Sequence, residues 1–166
     1  MIKEAGTVYQ VGDKVAHPMH GAGVIDSIVQ RRVAGKTEED YLLKLSVGSM
    51  TVMIPTGNTQ EIGVRPVVSG EEAANLIDAM ENIEVDMTQN WNRRYRENMV
   101  RLKSGDLLEV ARVVKGLLIR DGQRGLSNGE RKMLHTAKQI LISELVLAQS
   151  LPYQTVEENI DTVLSH

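Results

Sequence analysis

The sequence contains no cysteine and no phenylalanine, and aromatic residues make up only 3% of its 166 residues. Without cysteine the chain can form neither a disulfide nor a thiolate metal site, and it has no cysteine nucleophile. No apolar run approaches the roughly 18–20 residues that a membrane-spanning helix requires, and the first residues lack the apolar segment of a signal peptide. We therefore expect a cytoplasmic protein with an aliphatic core, of one domain or two small ones.

Motifs for metal binding, phosphate binding and nucleophilic catalysis are also missing. His17 and His20 are the only closely spaced histidines, and the proline between them and the lack of a third ligand favour a turn over a metal site. Residues 21–23 have neither the full glycine spacing of a phosphate loop nor a helix pattern after them. We therefore predict a non-enzymatic protein that holds no metal and no cofactor.

The net charge of −3 conceals a strong separation of charge along the chain. Residues 1–68 carry equal numbers of basic and acidic side chains, whereas 69–90 and 139–166 carry no lysine or arginine. The remaining 12 basic residues all lie within 91–138, which has a net charge of +7. Such a block is typical of a surface that binds a polyanion, although a solvated helical face could have the same composition.

Residues 1–68 have the pattern of a small β domain. Runs rich in β-branched and apolar residues, separated by turns, occur at 8–15, 24–29, 41–45 and 50–54. Residues 34–36 predict a hairpin turn, and Pro55 predicts the end of the last strand. This spacing predicts a small barrel of SH3 or Tudor type.

From Ser69 onward the pattern becomes helical. Four serine, threonine or aspartate residues each precede a glutamate by three positions, which is the spacing of a helix N-cap. These pairs are Ser69 with Glu72, Asp106 with Glu109, Ser127 with Glu130, and Thr155 with Glu158. Together with a helix expected over 90–103, they predict an α+β fold in which a Tudor-like β domain at 1–68 precedes an all-α domain of about five helices at 73–166.

The helix expected to begin near Asn90 contains the sole tryptophan, Trp91, together with a tyrosine and three arginines. Arginine binds phosphate oxygens, and a flat indole ring can stack on a base or wedge at a base step. The apolar residues of this helix also have the spacing of a buried stripe, namely Trp91, Tyr95, Met99 and Leu102. The spacing therefore leaves open whether Trp91 packs on the core or projects from it.

More basic residues lie in the first turns of the helix after Ser127. Arg131 and Lys138 are seven positions apart and share one helix face, and Lys132 lies beside the first of them. We expect these residues to form a composite basic patch with the arginines that follow Trp91.

Several motifs, in this order and at this spacing, make the sequence resemble the CarD/CdnL family of bacterial RNA polymerase-binding transcription regulators. They are VGDKV at 11–15, HPMHG at 17–21, VMIP at 52–55, GVR at 63–65, NWNRRY at 90–95, SGD at 104–106, RGLS at 124–127 and ERKML at 130–134. No single motif is specific, but together they extend over nearly the whole chain.

The resemblance implies a Tudor-like domain that binds the RNA polymerase β subunit and a helical domain that contacts promoter DNA at the upstream edge of the transcription bubble. The tryptophan is expected to wedge into the minor groove without sequence specificity and to stabilise the open complex, including at rRNA promoters. With the basic patch, the expected DNA contacts are Trp91, Arg93, Arg94, Arg96, Arg131, Lys132 and Lys138.

For the polymerase contact, the resemblance implies a sheet edge formed by Arg31, Arg32, Met50, Val52, Met53 and Ile54. Met53 stands where some family members have a basic residue. We therefore expect backbone pairing by strand addition, together with Arg31, to contribute more of the affinity.

Two other functions remain compatible with the sequence. One is an adaptor whose basic block binds an acidic protein partner in place of DNA, and the other is an RNA-binding module. A stacking platform for RNA usually has more than one exposed aromatic residue, which disfavours the second. We expect a monomer with no membrane partner, and exchange of a strand or a domain between two copies is left open.

Overall fold

The computed structural model describes residues 8–165 and consists of an antiparallel sheet followed by helices, which confirms the predicted α+β class. The strands are β1 Lys14–His17, β2 Gly21–Val33, β3 Lys36–Leu45, β4 Thr51–Pro55 and β5 Arg65–Pro66, with a 3-10 turn at Thr56–Asn58 and a one-turn helix α1 at Thr59–Ile62. The longer helices are α2 Gly70–Met80, α3 Trp91–Lys103, α4 Leu107–Arg124, α5 Asn128–Gln149 and α6 Tyr153–Leu164. We call residues 8–68 the sheet region and residues 69–165 the helical region.

The five strands are ordered β4-β3-β2-β1-β5, and each pairs antiparallel with its neighbours. The register between β2 and β3 shifts between Ile25 and Ser27, a bulge that increases the local bend of the sheet. A small core packs against this sheet, and its buried members include Val15, Ile25, Tyr41, Leu43 and Ile54. The hairpin predicted at residues 34–36 is confirmed as the β2–β3 turn, and Pro55 is the last residue of β4.

One strand expected from the sequence begins later than predicted. The run at 8–15 contributes only its last residues to β1, because the chain turns at Gly12, whose φ is +94°. The turn is closed by the Asp13 amide, which donates to the Gln10 carbonyl at 3.0 Å, and by the Asp13 carboxylate, which accepts from the Gln10 amide at 2.9 Å. A polar turn with a left-handed glycine therefore replaces the first part of the predicted strand.

The helix starts follow the predicted caps in three of four cases. Ser69 accepts from the amide of Glu72 at 3.0 Å and the Glu72 side chain accepts from the Ser69 amide at 3.1 Å, a complete capping box. Asp106 and Ser127 also cap α4 and α5. The cap predicted at Thr155 is wrong, since the N-cap position of α6 is Pro152, three residues earlier, and no side chain caps the helix.

The segment before α3 packs against α4 at two neighbouring residues of that helix, Gly116 and the buried Lys115. At Gly116 a Cβ would lie 1.9 Å from the Met87 Cε and 2.9 Å from the Val85 Cγ1, so the side chains of this segment pack in the space that the glycine leaves. The buried Lys115 ammonium donates to the Ile83 carbonyl at 2.8 Å. Together these contacts determine where the chain enters α3.

The sheet region and the helical region meet along α5. The Ser143 hydroxyl accepts from the Ala22 amide at 2.8 Å, and the Ser143 carbonyl accepts from the Ser46 hydroxyl at 2.7 Å. A Cβ at Gly21 would lie 2.5 Å from the Ser143 Oγ, so β2 can approach α5 this closely only with glycine at its first position. The contact is thus made by close backbone approach as well as by side chains.

A buried carboxylate completes this contact. Glu144 on α5 accepts from Arg65 Nη1 at 2.6 Å and from Arg65 Nη2 at 2.8 Å, and it also accepts from the Val68 amide at 3.0 Å. The same guanidinium donates to the Gly105 carbonyl at 3.0 and 3.2 Å. Because the Glu144 side chain is only 2% exposed, it depends on these donors to replace the water it has lost. We call this group the Glu144 clamp.

Breaking the Glu144 clamp should destabilise the whole chain. Glu144→Gln keeps the shape but removes the charge that faces Arg65, so we expect the free energy of unfolding to fall by about 2–4 kcal/mol. The control is Glu38→Gln, which breaks a solvent-exposed pair with Arg31 and should cost less than about 1 kcal/mol. Urea denaturation of the two variants measures the difference, and equal losses would contradict a role for the clamp in stability.

Candidate nucleic-acid interface

Trp91 is the first residue of α3 and projects from the core, with 43% of its surface exposed. Its ring stacks on Tyr95 with centroids 5.2 Å apart and planes inclined by 21°. Its indole Nε1 donates to the Ser127 hydroxyl at 3.0 Å. The sequence left open whether Trp91 packs on the core or projects from it, and in the structure the ring projects. A partly buried tyrosine, Tyr95, packs against one face of the ring.

Ser127 connects Trp91 to the start of α5. Its hydroxyl oxygen accepts from the Glu130 amide at 3.2 Å, which confirms the serine half of the predicted capping box. The carboxylate of Glu130 does not return to the Ser127 amide as the carboxylate does in the complete box at Ser69. It is buried instead, and its Oε1 lies 3.5 Å from the Ser127 hydroxyl.

Arg94, which the resemblance placed on the DNA, is only 1% exposed and pairs with Glu130. Its Nε and Nη2 donate to that carboxylate at 2.8 and 3.1 Å, and Nη1 donates to the carbonyls of Thr88 and Gln89. These bonds occupy the guanidinium, so it cannot also bind phosphate. The prediction is corrected: Arg94 joins α3 to α5 from inside.

The ion pair remains charged at neutral pH. Burial opposes ionisation of Glu130, but the hydrogen bonds and charge of Arg94 and the charge of Arg120 outweigh burial and hold the pKa of Glu130 below its ordinary value. A lowered pKa in the folded state means that the pair contributes its stability above the ordinary pKa of 4.5 and loses that contribution as the pH falls through the lowered value.

Four other cations predicted to contact DNA are exposed and flank Trp91. Arg93 and Arg96 lie on the first two turns of α3, and Arg131 and Lys132 lie on the first two turns of α5. Arg93 pairs with Glu97 at 3.1 Å, yet its side chain remains 69% exposed. We call the first turns of α3 and α5, with Trp91 and these four cations, the helix junction.

Lys138 does not belong to the helix junction. Its ammonium lies 3.1 Å from Asp161 and 3.8 Å from Glu157, both on α6. Although Lys138 shares a face with Arg131, two acidic side chains neutralise it where α6 packs on α5. The prediction is corrected, and Lys138 is assigned to the contact between these helices.

Ser127 and Arg124 are the residues of this surface that the sequence-based site missed. The sequence marks Ser127 only as a helix cap, and the same pattern occurs at caps that have no aromatic partner. Arg124 is the exposed last residue of α4, three positions before Ser127. The sequence feature that could have indicated Arg124 is its position in the basic block at residues 91–138.

The polymerase-facing prediction falls on β4, an edge strand that pairs only with β3 among residues 8–165. The Leu45 amide donates to the Met50 carbonyl, and the alternation of an antiparallel ladder then turns the backbone groups of Thr51 and Met53 away from β3. Met50 and Met53 are 58% and 52% exposed, and Val52 is partly buried. Ile54 is corrected to a core residue, since only 1% of it is exposed.

Arg31 and Arg32 lie beside this edge and not on it. They pair with Glu38 and Thr37 in the part of the β2–β3 hairpin that extends beyond β4, because the pairing of β3 with β4 ends at Asp40. Arg31 forms ion pairs with Glu38 and with the buried Asp40, and Arg32 is exposed. The predicted single edge thus consists of two neighbouring elements.

No group of three or more histidine, aspartate or glutamate side chains in residues 8–165 is arranged to hold a metal ion. His17 and His20 have ring centroids 4.6 Å apart, but the Nδ1 of His17 accepts from the Met19 amide at 3.2 Å. Burial, together with the charge of His20, lowers the pKa of His17 to about 4. Over the same residues, no helix has the length and apolar character needed to cross a membrane.

Comparisons with known proteins match both regions of the chain. The CarD-like/TRCF RID domain matches residues 9–68, and the CarD C-terminal domain matches residues 75–161. Over 150 residues the chain is 31% identical to YdeB of Bacillus subtilis (strain 168), which is named as a candidate transcription factor. The match covers 90% of this chain and 98% of that protein.

Replacing only one partner of the buried Arg94–Glu130 pair should strongly lower the stability of the fold. We expect Arg94→Met or Glu130→Gln to lower the free energy of unfolding by about 3–5 kcal/mol, because each leaves one buried charge without its partner. The double variant should cost less than the sum of the two. The control is Glu97→Gln, an exposed pair on α3 worth about 0.5 kcal/mol. Chemical denaturation measures all four, and single variants no worse than the control would refute the pair's importance.

Proposed function

The chain belongs to the CarD-like family of transcription regulators, and from this membership we propose that it binds the RNA polymerase β subunit through its sheet region and promoter DNA through the helix junction. In this proposal residues 1–68 are the polymerase-interacting domain and residues 73–166 the DNA-contacting domain. The protein acts in the cytoplasm by binding, catalyses no reaction, and stabilises the open complex, at rRNA promoters among others.

The observation that carries the DNA contact is the exposed Trp91 between two helix starts with four unburied cations around it. Arginine and lysine at such a surface bind phosphates without reading sequence, and an indole ring inserts between bases or at a base step. Insertion into an intact duplex costs a few kcal/mol of unstacking, whereas DNA at a bubble edge is already distorted. The ring therefore binds the open state better, and differential binding shifts the population toward it.

The exposed edge of β4 supports the polymerase contact. Thr51 and Met53 present unpaired backbone groups, and a partner strand can add to such an edge through main-chain hydrogen bonds. Met53 and Met50 add apolar contact area, and Arg32 offers a charge on the neighbouring hairpin. The matched RID domain is an RNA polymerase-interacting domain, which agrees with this use of the sheet.

The acidic segments on either side of the basic block support a division of labour between the two contacts. With few phosphates contacted and an overall charge of −3, the protein should bind free DNA weakly and in a salt-sensitive way. The polymerase contact then delivers the helix junction to its place on the promoter.

Removing the indole ring should weaken the open complex. We expect Trp91→Ala to shorten the lifetime of open complexes by about five- to a hundredfold, the range that corresponds to the loss of one base–aromatic contact. The control is Val100→Ala on the same helix, which truncates an apolar side chain that is 69% exposed and should have no effect. Lifetimes are measured by competitor challenge with RNA polymerase, and an unchanged lifetime with Trp91→Ala would remove the ring from the mechanism.

Crosslinking distinguishes the DNA contact from an acidic protein partner. Because the chain has no cysteine, Asn92→Cys can carry a single photocrosslinker beside Trp91. A DNA adduct in the assembled complex agrees with the proposal, and an adduct with protein alone would favour the adaptor.

A proline on the free side of β4 should block strand addition. Met53→Pro removes an amide that turns away from β3, so the β3–β4 ladder keeps its own hydrogen bonds. We expect this variant to lose at least tenfold in affinity for the isolated β-subunit lobe, whereas Met53→Thr, which keeps the amide, should lose much less. Affinities are measured by titration with the lobe, and equal binding by the two variants would exclude backbone pairing at Met53.

A further inference from the structure

Two contacts determine the orientation of the Trp91 ring, and they act in different ways. Stacking on Tyr95 restricts the plane of the indole ring but allows the ring to turn over within the stack. The hydrogen bond from Nε1 to Ser127 selects one of the two orientations, since Nε1 lies on one edge of the ring only. A Cβ at Gly129 would lie 3.7 Å from each ring, an ordinary van der Waals distance, so the first turn of α5 lies alongside the stacked pair.

The hydroxyl of Ser127 is itself held in place. It accepts from the Glu130 amide as the cap of α5 and accepts from Trp91, and its own hydrogen faces Glu130 Oε1 at 3.5 Å. These contacts use both lone pairs and the single hydrogen of a serine hydroxyl. Glu130 is in turn fixed by its buried pair with Arg94. The Trp91 ring is thereby connected through one hydroxyl to a buried ion pair of the fold.

We propose that Ser127 is a positioning residue for Trp91, whose hydroxyl holds the indole ring in the orientation in which it meets DNA. The inference rests on the proposed DNA contact of Trp91. An exposed tryptophan otherwise samples several rotamers, and ordering it upon binding reduces affinity. A ring that is already held avoids that loss, so Ser127 contributes to open-complex stability without touching DNA itself.

The sole tryptophan makes this connection directly measurable. The indole N–H of Trp91 gives a single side-chain resonance, and all tryptophan fluorescence comes from the same ring. In the free full-length protein we expect Ser127→Ala to speed hydrogen exchange at that N–H several-fold and to lower the fluorescence anisotropy. Ser127→Thr keeps the hydroxyl and should restore both values toward those of the original protein.

The functional readout is the open-complex lifetime with RNA polymerase. We expect Ser127→Ala to shorten it by about two- to tenfold, the factor that corresponds to one neutral hydrogen bond. Ser127→Gly should have the same effect, and because glycine is a tolerated N-cap this variant keeps α5 stable if alanine does not. The matched control is Ser69→Ala, which removes the cap of α2, where no tryptophan is bound, and should leave the lifetime unchanged.

The outcomes separate this proposal from the function on which it rests. Unchanged exchange and lifetime in Ser127→Ala and Ser127→Gly would overturn the positioning role while leaving a Trp91→Ala defect intact. An equal loss with Ser69→Ala would also overturn it, because cap removal alone would then suffice. If Trp91→Ala itself has no effect on lifetime, the DNA contact is wrong and the positioning role fails with it, even where the exchange data confirm the Ser127–Trp91 bond in the free protein.

Discussion

The arrangement of this protein depends on one buried carboxylate, Glu144, at the contact between its two regions. A carboxylate loses its hydration when it is buried, and here Arg65 and the Val68 amide replace the lost water. Both donors come from the last part of the sheet region, so satisfying Glu144 requires that region to lie against α5. Ser143, the preceding residue, binds the backbone of β2 and the side chain of Ser46 in the same contact. If β4 binds a partner, the direction of the helices is then determined by this contact and not by a loose linker.

The same physical solution appears at the other end of α5. Glu130 is buried near the start of the helix, where Arg94 of α3 satisfies it. One helix thus carries two buried carboxylates, each paired with an arginine from a different part of the chain. Glu130 joins α5 to α3 beside Trp91, and Glu144 joins α5 to the sheet region. In this view α5 is the element that connects the proposed polymerase contact to the proposed DNA contact.

Pairing with carboxylates of neighbouring elements also explains why some cations of the basic block are exposed for binding and others are not. Arg94 and Lys138 belong to the block, yet carboxylates of neighbouring elements neutralise them. Four cations of the block remain exposed at the helix junction, near the starts of the two helices that meet at Trp91. A surface in which an aromatic ring lies among exposed cations suits DNA that is already partly unpaired, because the ring needs exposed base faces and the cations need only phosphates.

Features of the fold that depend only on neighbouring residues could be predicted from the amino-acid sequence. Alternating β-branched runs, turn residues and N-cap pairs were sufficient for the α+β class, for the hairpin at residues 34–36 and for the starts of α2, α4 and α5, since each of these follows from local backbone chemistry. The separation of charge and the motif around Trp91 also indicated the candidate surface.

Which of those side chains are exposed follows only from the packing of distant elements. Arg94 and Arg93 are adjacent and chemically identical, but only Arg94 faces a carboxylate from a helix 36 positions away. Likewise, Ile54 and Met53 are neighbours in β4 and point to opposite faces of the sheet, and only the fold shows that the core covers the face of Ile54. From the sequence Ser127 is predicted only as a helix cap, whereas in the structure it also accepts a hydrogen bond from the indole N–H of Trp91 at 3.0 Å. Burial and pairing depend on contacts between residues far apart in the chain, and local patterns do not specify which distant residue will arrive.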